Sequence, residues 1–434
     1  MVTNATVRLW GNTLGYLYLD EQNKRINFQY SDEFGSTGYE VSPILYPFEK
    51  GHIYSRLIPR QGEEDCFKGL PEFIADILPD KWGTALVNRW LAENGRDKDS
   101  INTIERLLYM GNRGMGALEF ITDLRPELST SIAISELDGL VKIAAEIIEN
   151  RGRVNTNIKE QDEALKTIIS IGSSAGGSRA KAVVSYNRDT GEILSGQVDA
   201  PEGFEHYLIK LDGVTNGILG DPGYWGILEY SYYKLALACK INMMECMILK
   251  DRERRHFLTK RYDRKGNKKI HKVSLCGIAG MDFNRAGWYS YEQMFSVMRQ
   301  IGLDKTDAVE SFRRMVFNVV GRNQDDHTKN VEFLMNNQGQ WSLAPAFDMT
   351  YSYAPENRWL AHHQMTINGK KDNFIKEDLL KIAKDIGIKN AEDIIAEIVE
   401  CFENFEDYME PGIPEEKISA MKKTLRTDIL TRNR

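Results

Sequence analysis

Apolar residues follow a strand-like spacing early in the chain and a helical spacing after it. Apolar residues alternate with polar ones between residues 6 and 30, with turn residues between the runs, which predicts a meander of β-strands. From 67 to 93 the apolar residues recur at helical spacing, with a break at Pro79 and Asp80. The glycine-rich run 111–116 leads into a strand-like segment rather than a helix. We therefore interpret it as a turn and not as a phosphate-binding loop.

The second half begins with strand patterns and becomes mostly helical. Residues 206–212 alternate as in a strand and place Lys210 between two apolar residues, and a helix pattern follows from Glu229 to Ala238. A further strand pattern covers 256–264. Helical spacing dominates from 289 to 320 and from 375 to 408, and the charged tail 411–434 is expected to form one helix.

These patterns predict an α+β fold. The order of the motifs and the family resemblance described below further imply a bilobal core with a helical C-lobe, preceded by a small α/β subdomain. A cluster of proline, serine and threonine near 126–131 indicates a boundary. The predicted units are an N-terminal subdomain (1–125), a linker helix (126–155), a sheet-containing N-lobe (156–270) and a helical C-lobe (271–434).

Composition narrows the class of protein. The 434 residues are 42% hydrophobic and 27% charged, as in ordinary globular proteins, and the net charge of −7 argues against a protein that coats nucleic acid. The five cysteines form no CxxC pair, which is typical of reduced thiols in the cytosol and indicates no structural zinc. The N-terminus lacks the pattern of a signal peptide, and no run of about 18 uncharged apolar residues could span a membrane. We expect a soluble cytoplasmic protein.

One polar loop between an apolar helix and an apolar strand carries the strongest chemical signal. Its sequence, 321–330, is GRNQDDHTKN, and charge between two buried elements is costly unless it has a use. Asp325 and Asn330 have the spacing of the phosphoryl-transfer loop in which an aspartate takes the proton of the substrate hydroxyl and an asparagine holds magnesium. Asp348, after one more strand, would be the second metal-binding carboxylate. Two solvated acidic loops joined by a hairpin would give a similar pattern.

A second loop, 172–181, could hold a phosphate. Its backbone amides and hydroxyls are little hindered by side chains, although a flexible hairpin would look similar. The candidate residues in it are Ser174, Gly176, Gly177, Ser178 and Lys181. Lys210 is expected to contact a nucleotide phosphate, and Glu229 could hold the lysine in place. The alternative is a lysine on an edge strand that reaches solvent.

The strand 256–264 would suit a hinge beside a nucleotide base, with Tyr262 packing on the base. The order of parts is then a glycine loop, a strand lysine, a helix, a hinge, an Asp-x4-Asn loop and a Phe-Asp pair. That is the order of parts in a bilobal kinase.

With these motifs, the chain resembles the HipA-type serine/threonine kinases, the toxins of bacterial toxin–antitoxin pairs. The similar stretches are 67–80, 111–117, the glycine loop, the Asp-His-x-Lys-Asn loop and the Phe-Asp pair. The resemblance implies an ATP- and Mg²⁺-dependent kinase. In it Asp325 would orient and deprotonate the attacking hydroxyl, Asn330 and Asp348 would be metal ligands, Lys210 would contact the phosphates, and Ser174 would be the autophosphorylated serine.

Some positions depart from the family pattern. Asp326 adds a second acid beside the site, Ala180 replaces a frequent proline, and Lys260 occupies a hinge position that often carries an acid. Lys260 remains a candidate nucleotide contact. His327 is also a candidate for the nucleotide site, where it could orient the loop by a hydrogen bond; the alternative is a structural histidine.

The resemblance also implies partners. These are a protein substrate, which in the best-known relatives is an aminoacyl-tRNA synthetase, and a HipB-like helix-turn-helix antitoxin that binds operator DNA. Two alternatives stay open. One is a catalytically weak HipA-like scaffold that acts by pairing with a DNA-binding antitoxin. The other is a phosphohydrolase built on residues 325–327, for which His362 and His363 are the nearest further histidines.

Overall fold

The computed structural model describes residues 2–60, 62–93, 95–121, 139–142, 144–145, 179–214 and 223–431. Most of the predicted linker helix lies outside these residues. So do Ser174, Gly176, Gly177 and Ser178 of the predicted phosphate loop. The division into four units stays a prediction.

The N-terminal part is built on an antiparallel sheet in the order β4-β3-β2-β1-β5. Its strands are β1 Asn4–Leu9, β2 Asn12–Asp20, β3 Arg25–Tyr30, β4 Ile53–Leu57 and β5 Leu118–Ile121. The helices α1 Glu72–Ala75, α2 Lys81–Glu93 and α3 Thr103–Met110 lie between β4 and β5. The predicted meander and the helix break at 79–80 are confirmed. The glycine-rich run is a turn, as predicted, with Gly111 capping α3.

A second antiparallel sheet follows in the order β7-β6-β8-β10-β9. Its strands are β6 Lys181–Tyr186, β7 Ile193–Ser195, β8 Glu205–Lys210, β9 Cys246–Asp251 and β10 Arg254–Lys260. Helix α4, Trp225–Ala238, packs against β9 and β10. The register pairs Lys210 with both Lys181 and Phe257, so the strand lysine lies in the middle of the sheet and not at its edge.

The rest of the described chain is mainly helical. Its helices are α5 Leu275–Ala279, α6 Tyr291–Gln300, α7 Lys305–Val320, α8 Lys376–Asp385, α9 Ala391–Glu403 and α10 Glu415–Lys422. The short strands between them are β11 Arg264–Lys265, β12 Lys268–Lys269, β13 His271–Ser274, β14 Tyr289–Ser290, β15 Glu332–Met335, β16 Trp341–Leu343 and β17 Met365–Thr366. Strands β13, β15 and β16 form a small sheet that carries the candidate loop.

Two predictions of local structure were wrong. The tail is not one helix, because α10 ends at Lys422 and a 3₁₀ turn follows at Thr427–Leu430. The tail folds back because Leu425 and Ile429 are buried and the Arg426 amide donates to the Val320 carbonyl at the end of α7. The strand predicted over 256–264 stops at Lys260, and Tyr262 lies in the turn beyond it.

The described residues contain no helix that is both long and apolar enough to cross a lipid bilayer.

Candidate functional site

The polar loop 322–330 lies between the end of α7 and β15, as the sequence predicted. The Ser352 hydroxyl accepts hydrogen bonds from the amides of Gln324 and Asp325, at 2.8 and 3.1 Å. The Asn330 side-chain amide donates to the Asp325 carbonyl at 2.7 Å and so ties the two candidate residues together. These bonds fix the conformation of the loop, and none of them involves the Asp325 carboxylate.

The Asp325 carboxylate remains accessible at the mouth of the loop. Its side chain is 41% exposed, and Oδ1 accepts a hydrogen bond from the Trp359 indole at 2.7 Å. The nearest histidine nitrogen, His327 Nε2, lies 3.9 Å from the same oxygen. An oriented and partly exposed carboxylate can accept a proton from an approaching hydroxyl group.

A buried charge cluster links the sheet to the segment after β16. The Lys210 ammonium lies 2.6 Å from Glu229 Oε1 and also contacts Asp348 Oδ1. The proposed pairing of Lys210 with Glu229 is therefore confirmed. Asp348 adopts a left-handed backbone conformation (φ 51°), which is uncommon for a residue other than glycine and turns its carboxylate toward the lysine.

The charges of this cluster reinforce one another. Burial disfavours the ionised form of Asp348, but Lys210 and Lys181 outweigh it and hold the pKa of that carboxyl below its ordinary value. Burial likewise opposes the charge on Lys210, yet Asp348 and Glu229 raise the lysine pKa above its usual range. Lys210 and Asp348 are therefore both ionised at neutral pH.

A cleft of about 750 Å³ opens between the second sheet and the helical part. Lys210, Asn330 and Asp348 line it together, although they come from distant parts of the sequence. Lys260 and Tyr262 line it as well. The Tyr262 ring stacks on Phe347, with 5.6 Å between ring centroids, so one wall of the cleft is aromatic.

The donor set in this cleft suits a hard divalent cation. Asp348 offers carboxylate oxygens, and the hydrogen bond from the Asn330 nitrogen to Asp325 leaves the amide oxygen of Asn330 for a cation. Oxygen ligands of this kind are those that Mg²⁺ prefers. Asn330 and Asp348 could therefore hold magnesium, with Lys210 beside it for phosphate oxygens.

Lys181 is placed differently from the sequence-based expectation. Its side chain is only 2% exposed, and its ammonium lies 2.9 Å from Asp80 Oδ2 of the N-terminal part. The Trp82 indole donates to the Lys181 carbonyl at 2.7 Å. Asp80 therefore already neutralises the lysine charge where β6 meets the segment before α2, and Lys181 does not line the cleft.

His327 and Asp326 both turn toward the interior. The His327 ring packs near the rings of Phe283 and Trp359 and lines a separate cavity beneath the loop, which fits a structural histidine better than a nucleotide contact. Asp326 does not add charge to the cleft as expected. It is buried and accepts hydrogen bonds from the Tyr291 hydroxyl, at 2.7 Å, and from the Gln364 amide, at 2.8 Å.

Asp326 also pairs with His363 at 2.9 Å. This contact uses the histidine that the phosphohydrolase alternative would need as a metal ligand. Among the described residues, no group of three histidine, cysteine or acidic side chains at metal-binding distance lies at this loop.

Sequence reasoning missed a second charged cluster on the cleft wall. Lys272 Nζ lies 2.5 Å from Glu332 Oε1, and the Tyr262 hydroxyl donates to the other oxygen of Glu332. Next to it, Arg261 holds Asp263 by two hydrogen bonds of 2.9 and 2.6 Å. The argument applied to Lys210 could not have found Lys272, because β13 has a single apolar residue, Val273.

Comparisons with known proteins agree with this architecture. The family described as HipA N-terminal domain matches residues 5–121, and the family described as HipA-like C-terminal domain matches residues 173–405. No curated protein matches the chain.

Two of the solved structures that match the chain are as follows. One is a chain of the Shewanella oneidensis MR-1 toxin–antitoxin complex of HipA, HipB and operator DNA, with a TM-score of 0.66 and 17% identity over 98% of this chain and 96% of that chain. The other is the Helicobacter pylori proinflammatory kinase CtkA, with a TM-score of 0.39 and 13% identity over 58% of this chain and 89% of that one. The predicted α+β fold is confirmed. Because the HipA-like C-terminal domain alone matches more than half of its residues, the chain belongs to the HipA family.

Proposed function

We propose that this protein is an ATP- and Mg²⁺-dependent serine/threonine protein kinase of the HipA toxin type. The observation that carries the proposal is the convergence of Lys210, Asn330 and Asp348 on one cleft, with Asp325 in the same loop as Asn330, whose side-chain amide donates to the Asp325 backbone carbonyl. A lysine, two oxygen ligands and a proton acceptor are the parts that phosphoryl transfer requires.

Each residue has a role that follows from its placement. Asp325 orients the attacking hydroxyl and accepts its proton, and the Trp359 indole fixes the carboxylate in position. Lys210, held by Glu229, neutralises phosphate oxygens at the base of the cleft. Bound magnesium, on Asn330 and Asp348, would offset the charge that develops on the transferred phosphoryl group. The aromatic wall around Tyr262 suits the face of a nucleotide base.

The proposal includes self-limitation by autophosphorylation of Ser174 in the glycine-serine loop. This part rests on the family to which the chain belongs and on the sequence of the loop. A phosphoserine carries about two negative charges, so it would compete with a nucleotide phosphate for the same amides.

We also propose a DNA-binding partner. Membership of the HipA family and the fold shared with a chain from a HipA–HipB–operator DNA complex support pairing with a HipB-like helix-turn-helix antitoxin, and through it with operator DNA. The phosphorylated target would be a cellular protein, with an aminoacyl-tRNA synthetase as the first candidate.

Mass spectrometry after incubation with Mg²⁺ and ATP tests the kinase proposal. We expect a phosphate on Ser174 and on at least one protein of a cell extract, and neither when Asp348 is replaced by asparagine. The matched control is Asp378→Asn, which alters a mostly buried aspartate that is ion-paired with Lys370 but does not line the cleft. No phosphate on any protein, with partner binding intact, would favour the scaffold alternative. Nucleotide hydrolysis alone would favour a phosphohydrolase.

A further inference from the structure

Two segments beside the candidate active site are fastened to each other and to the proposed catalytic carboxylate. The Gly287 amide, in the segment before β14, donates at 2.7 Å to the carbonyl of Gln364, in the segment before β17. The Gln364 side-chain amide in turn donates to the Trp359 carbonyl, and the Trp359 indole donates to Asp325 Oδ1 at 2.7 Å. The two segments therefore form one surface that adjoins Asp325.

This surface is positively charged, although the net charge of the protein is −7. In the segments 283–288 and 356–371, the exposed lysine, arginine, aspartate and glutamate residues are Arg285, Glu356, Arg358, Lys370 and Lys371, so that cations outnumber acids by four to one. Lys370 is already paired with Asp378 at 2.6 Å. We call the group formed by Arg285, Trp288 and Lys371 the basic surface.

Arg285 and Trp288 are held in an exposed and preformed arrangement. The Trp288 amide donates to the Arg285 carbonyl at 3.1 Å, and the guanidinium carbon lies 4.8 Å from the centre of the indole ring. Trp288 is 69% exposed, and the Arg285 side chain is 51% exposed. Asp282 Oδ2 lies 3.9 Å from Arg285 Nε, beyond hydrogen-bond distance, so the guanidinium keeps its donors for another carboxylate.

The Lys371 side chain lies on the same turn. Its ammonium nitrogen is 3.5 Å from the Ala286 carbonyl oxygen, between Arg285 and Gly287 in sequence. Its stem crosses the backbone so closely that a Cβ at Gly287 would collide with it. The lysine charge is thereby placed beside the Arg285–Trp288 pair, which concentrates two cations and one exposed aromatic ring on a single turn.

We propose that the basic surface binds acidic residues of the protein substrate that flank the phosphorylated serine or threonine. This inference rests on the kinase function proposed above and adds a substrate class to it. Arginine and lysine bind carboxylates, and an exposed tryptophan gives an extended segment an apolar surface to pack on. An extended chain advances about 3.3 Å per residue, so a segment whose hydroxyl meets Asp325 would reach the adjoining surface within a few residues.

Nucleic acid is a poorer occupant for this surface. Its affinity for proteins comes from many phosphate contacts made by lysine and arginine. The basic surface offers two cations, Glu356 is exposed in the same pair of segments, and the whole chain is negative. A short acidic segment of a protein matches this limited charge better than a duplex does.

The first experiment measures binding to the intact chain by fluorescence anisotropy. The probes are two labelled peptides of equal length with a central serine, one flanked by glutamates and the other by lysines. We expect the glutamate peptide to bind more tightly, and we expect the difference to shrink at high salt because exposed charges are screened. Equal binding of the two peptides, or binding of a DNA duplex in place of the glutamate peptide, would overturn the proposal.

Variants then assign the binding to the surface. The double variant Arg285→Glu with Lys371→Glu should bind the glutamate peptide about tenfold more weakly and the lysine peptide more tightly, because attraction between exposed charges becomes repulsion. Trp288→Ala should weaken both peptides, since the indole contributes contact area and no charge. A double variant that keeps the preference of the wild type for glutamate would place the recognition elsewhere.

The matched control is Lys389→Glu, which reverses an exposed lysine far from the surface. Lys389 lies two residues after Gly387, whose carbonyl accepts a hydrogen bond from Lys305, the first residue of α7. The catalytic loop follows the other end of this helix, which has 16 residues and is therefore about 24 Å long. Lys389→Glu should bind both peptides as the wild type does.

Transfer of radiolabelled phosphate from ATP separates this inference from the kinase proposal. We expect a lower KM for the glutamate peptide than for the lysine peptide, and the double variant should raise the KM for the glutamate peptide about tenfold because the surface binds substrate away from the reacting atoms. Phosphorylation of both peptides with the same KM would refute the acidic preference and leave the kinase function standing. Absence of labelled phosphate on either peptide and on the chain itself would refute the kinase function, and with it the assignment of a substrate.

Discussion

Replacing Lys210 with methionine tests the charge cluster at the base of the cleft. The substitution keeps most of the apolar stem and removes the ammonium that pairs with both Glu229 and Asp348, whose side chains are 2% and 24% exposed. Breaking a buried ion pair by removing one partner costs about 3–5 kcal/mol, because the remaining charge stays desolvated. We expect the free energy of unfolding of Lys210→Met to fall by that amount at about pH 7.

The matched control is Lys240→Met. Lys240 pairs with Glu397 at 2.8 Å, a distance similar to that between Lys210 and Glu229, but its side chain is 67% exposed. An exposed pair contributes only about 0–1 kcal/mol. Urea denaturation of both variants and the wild type gives the two losses under the same conditions.

The structure also determines how the difference in unfolding free energy between the wild type and Lys210→Met depends on pH. The pKa of Asp348 is depressed below 3.8 in the folded wild type, so its contribution is present above pH 3.8 and is lost as the pH falls through the folded pKa. In Lys210→Met burial dominates, the carboxyl pKa rises, and protonation relieves the buried charge. The difference in unfolding free energy between the wild type and Lys210→Met should therefore become smaller as the pH falls. Equal losses in Lys210→Met and Lys240→Met, or a gap that does not depend on pH, would refute the reasoning.

Three further predictions concern single positions. Asp325→Asn should lower phosphorylation by about 10²–10⁴-fold without changing the melting temperature, because the carboxylate is 41% exposed; a radiolabelled-ATP assay measures the rate. Gly116→Ala should destabilise the fold more than Gly191→Ala, since both glycines have positive φ but only the first would bring its Cβ within 2.8 Å of another side chain, that of Lys272; thermal denaturation compares the two. Asp76→Asn should cost about 1–3 kcal/mol by urea denaturation, because its amide nitrogen would replace one of the two carboxylate oxygens that accept hydrogen bonds from Ser274, the residue that caps α5.

Much of the fold could be predicted from the sequence because its signals are local. Strand periodicity located the meander 6–30, and helical spacing located α7 before the polar loop. The loop itself was predictable for the same reason. Asp325 and Asn330 are five positions apart in sequence, and a single turn can bring such close neighbours into contact without the rest of the chain.

Long-range partners could not be predicted in this way. Periodicity shows which face of an element is buried, but it does not show which residue lies opposite. The loop lysine Lys181 was expected to face a nucleotide, and in the fold it pairs with Asp80, a residue 101 positions earlier in the numbering. Asp326 turned inward because Tyr291 and His363 offer it hydrogen bonds from other elements.

The sequence by itself determined the α+β pattern, the polar loop and the kinds of residue in the cleft, since these depend on spacing within short segments. Only the tertiary structure decided that Lys210 meets Asp348 across 138 positions and that Cys66 meets Cys276 across 210. Residues far apart in sequence come together when the apolar faces of helices and sheets pack. The hydrophobic effect that drives this packing is not directional, so it does not specify which polar residues meet. Partners of a buried charge or thiol are therefore set by the packed fold and not by the neighbouring sequence.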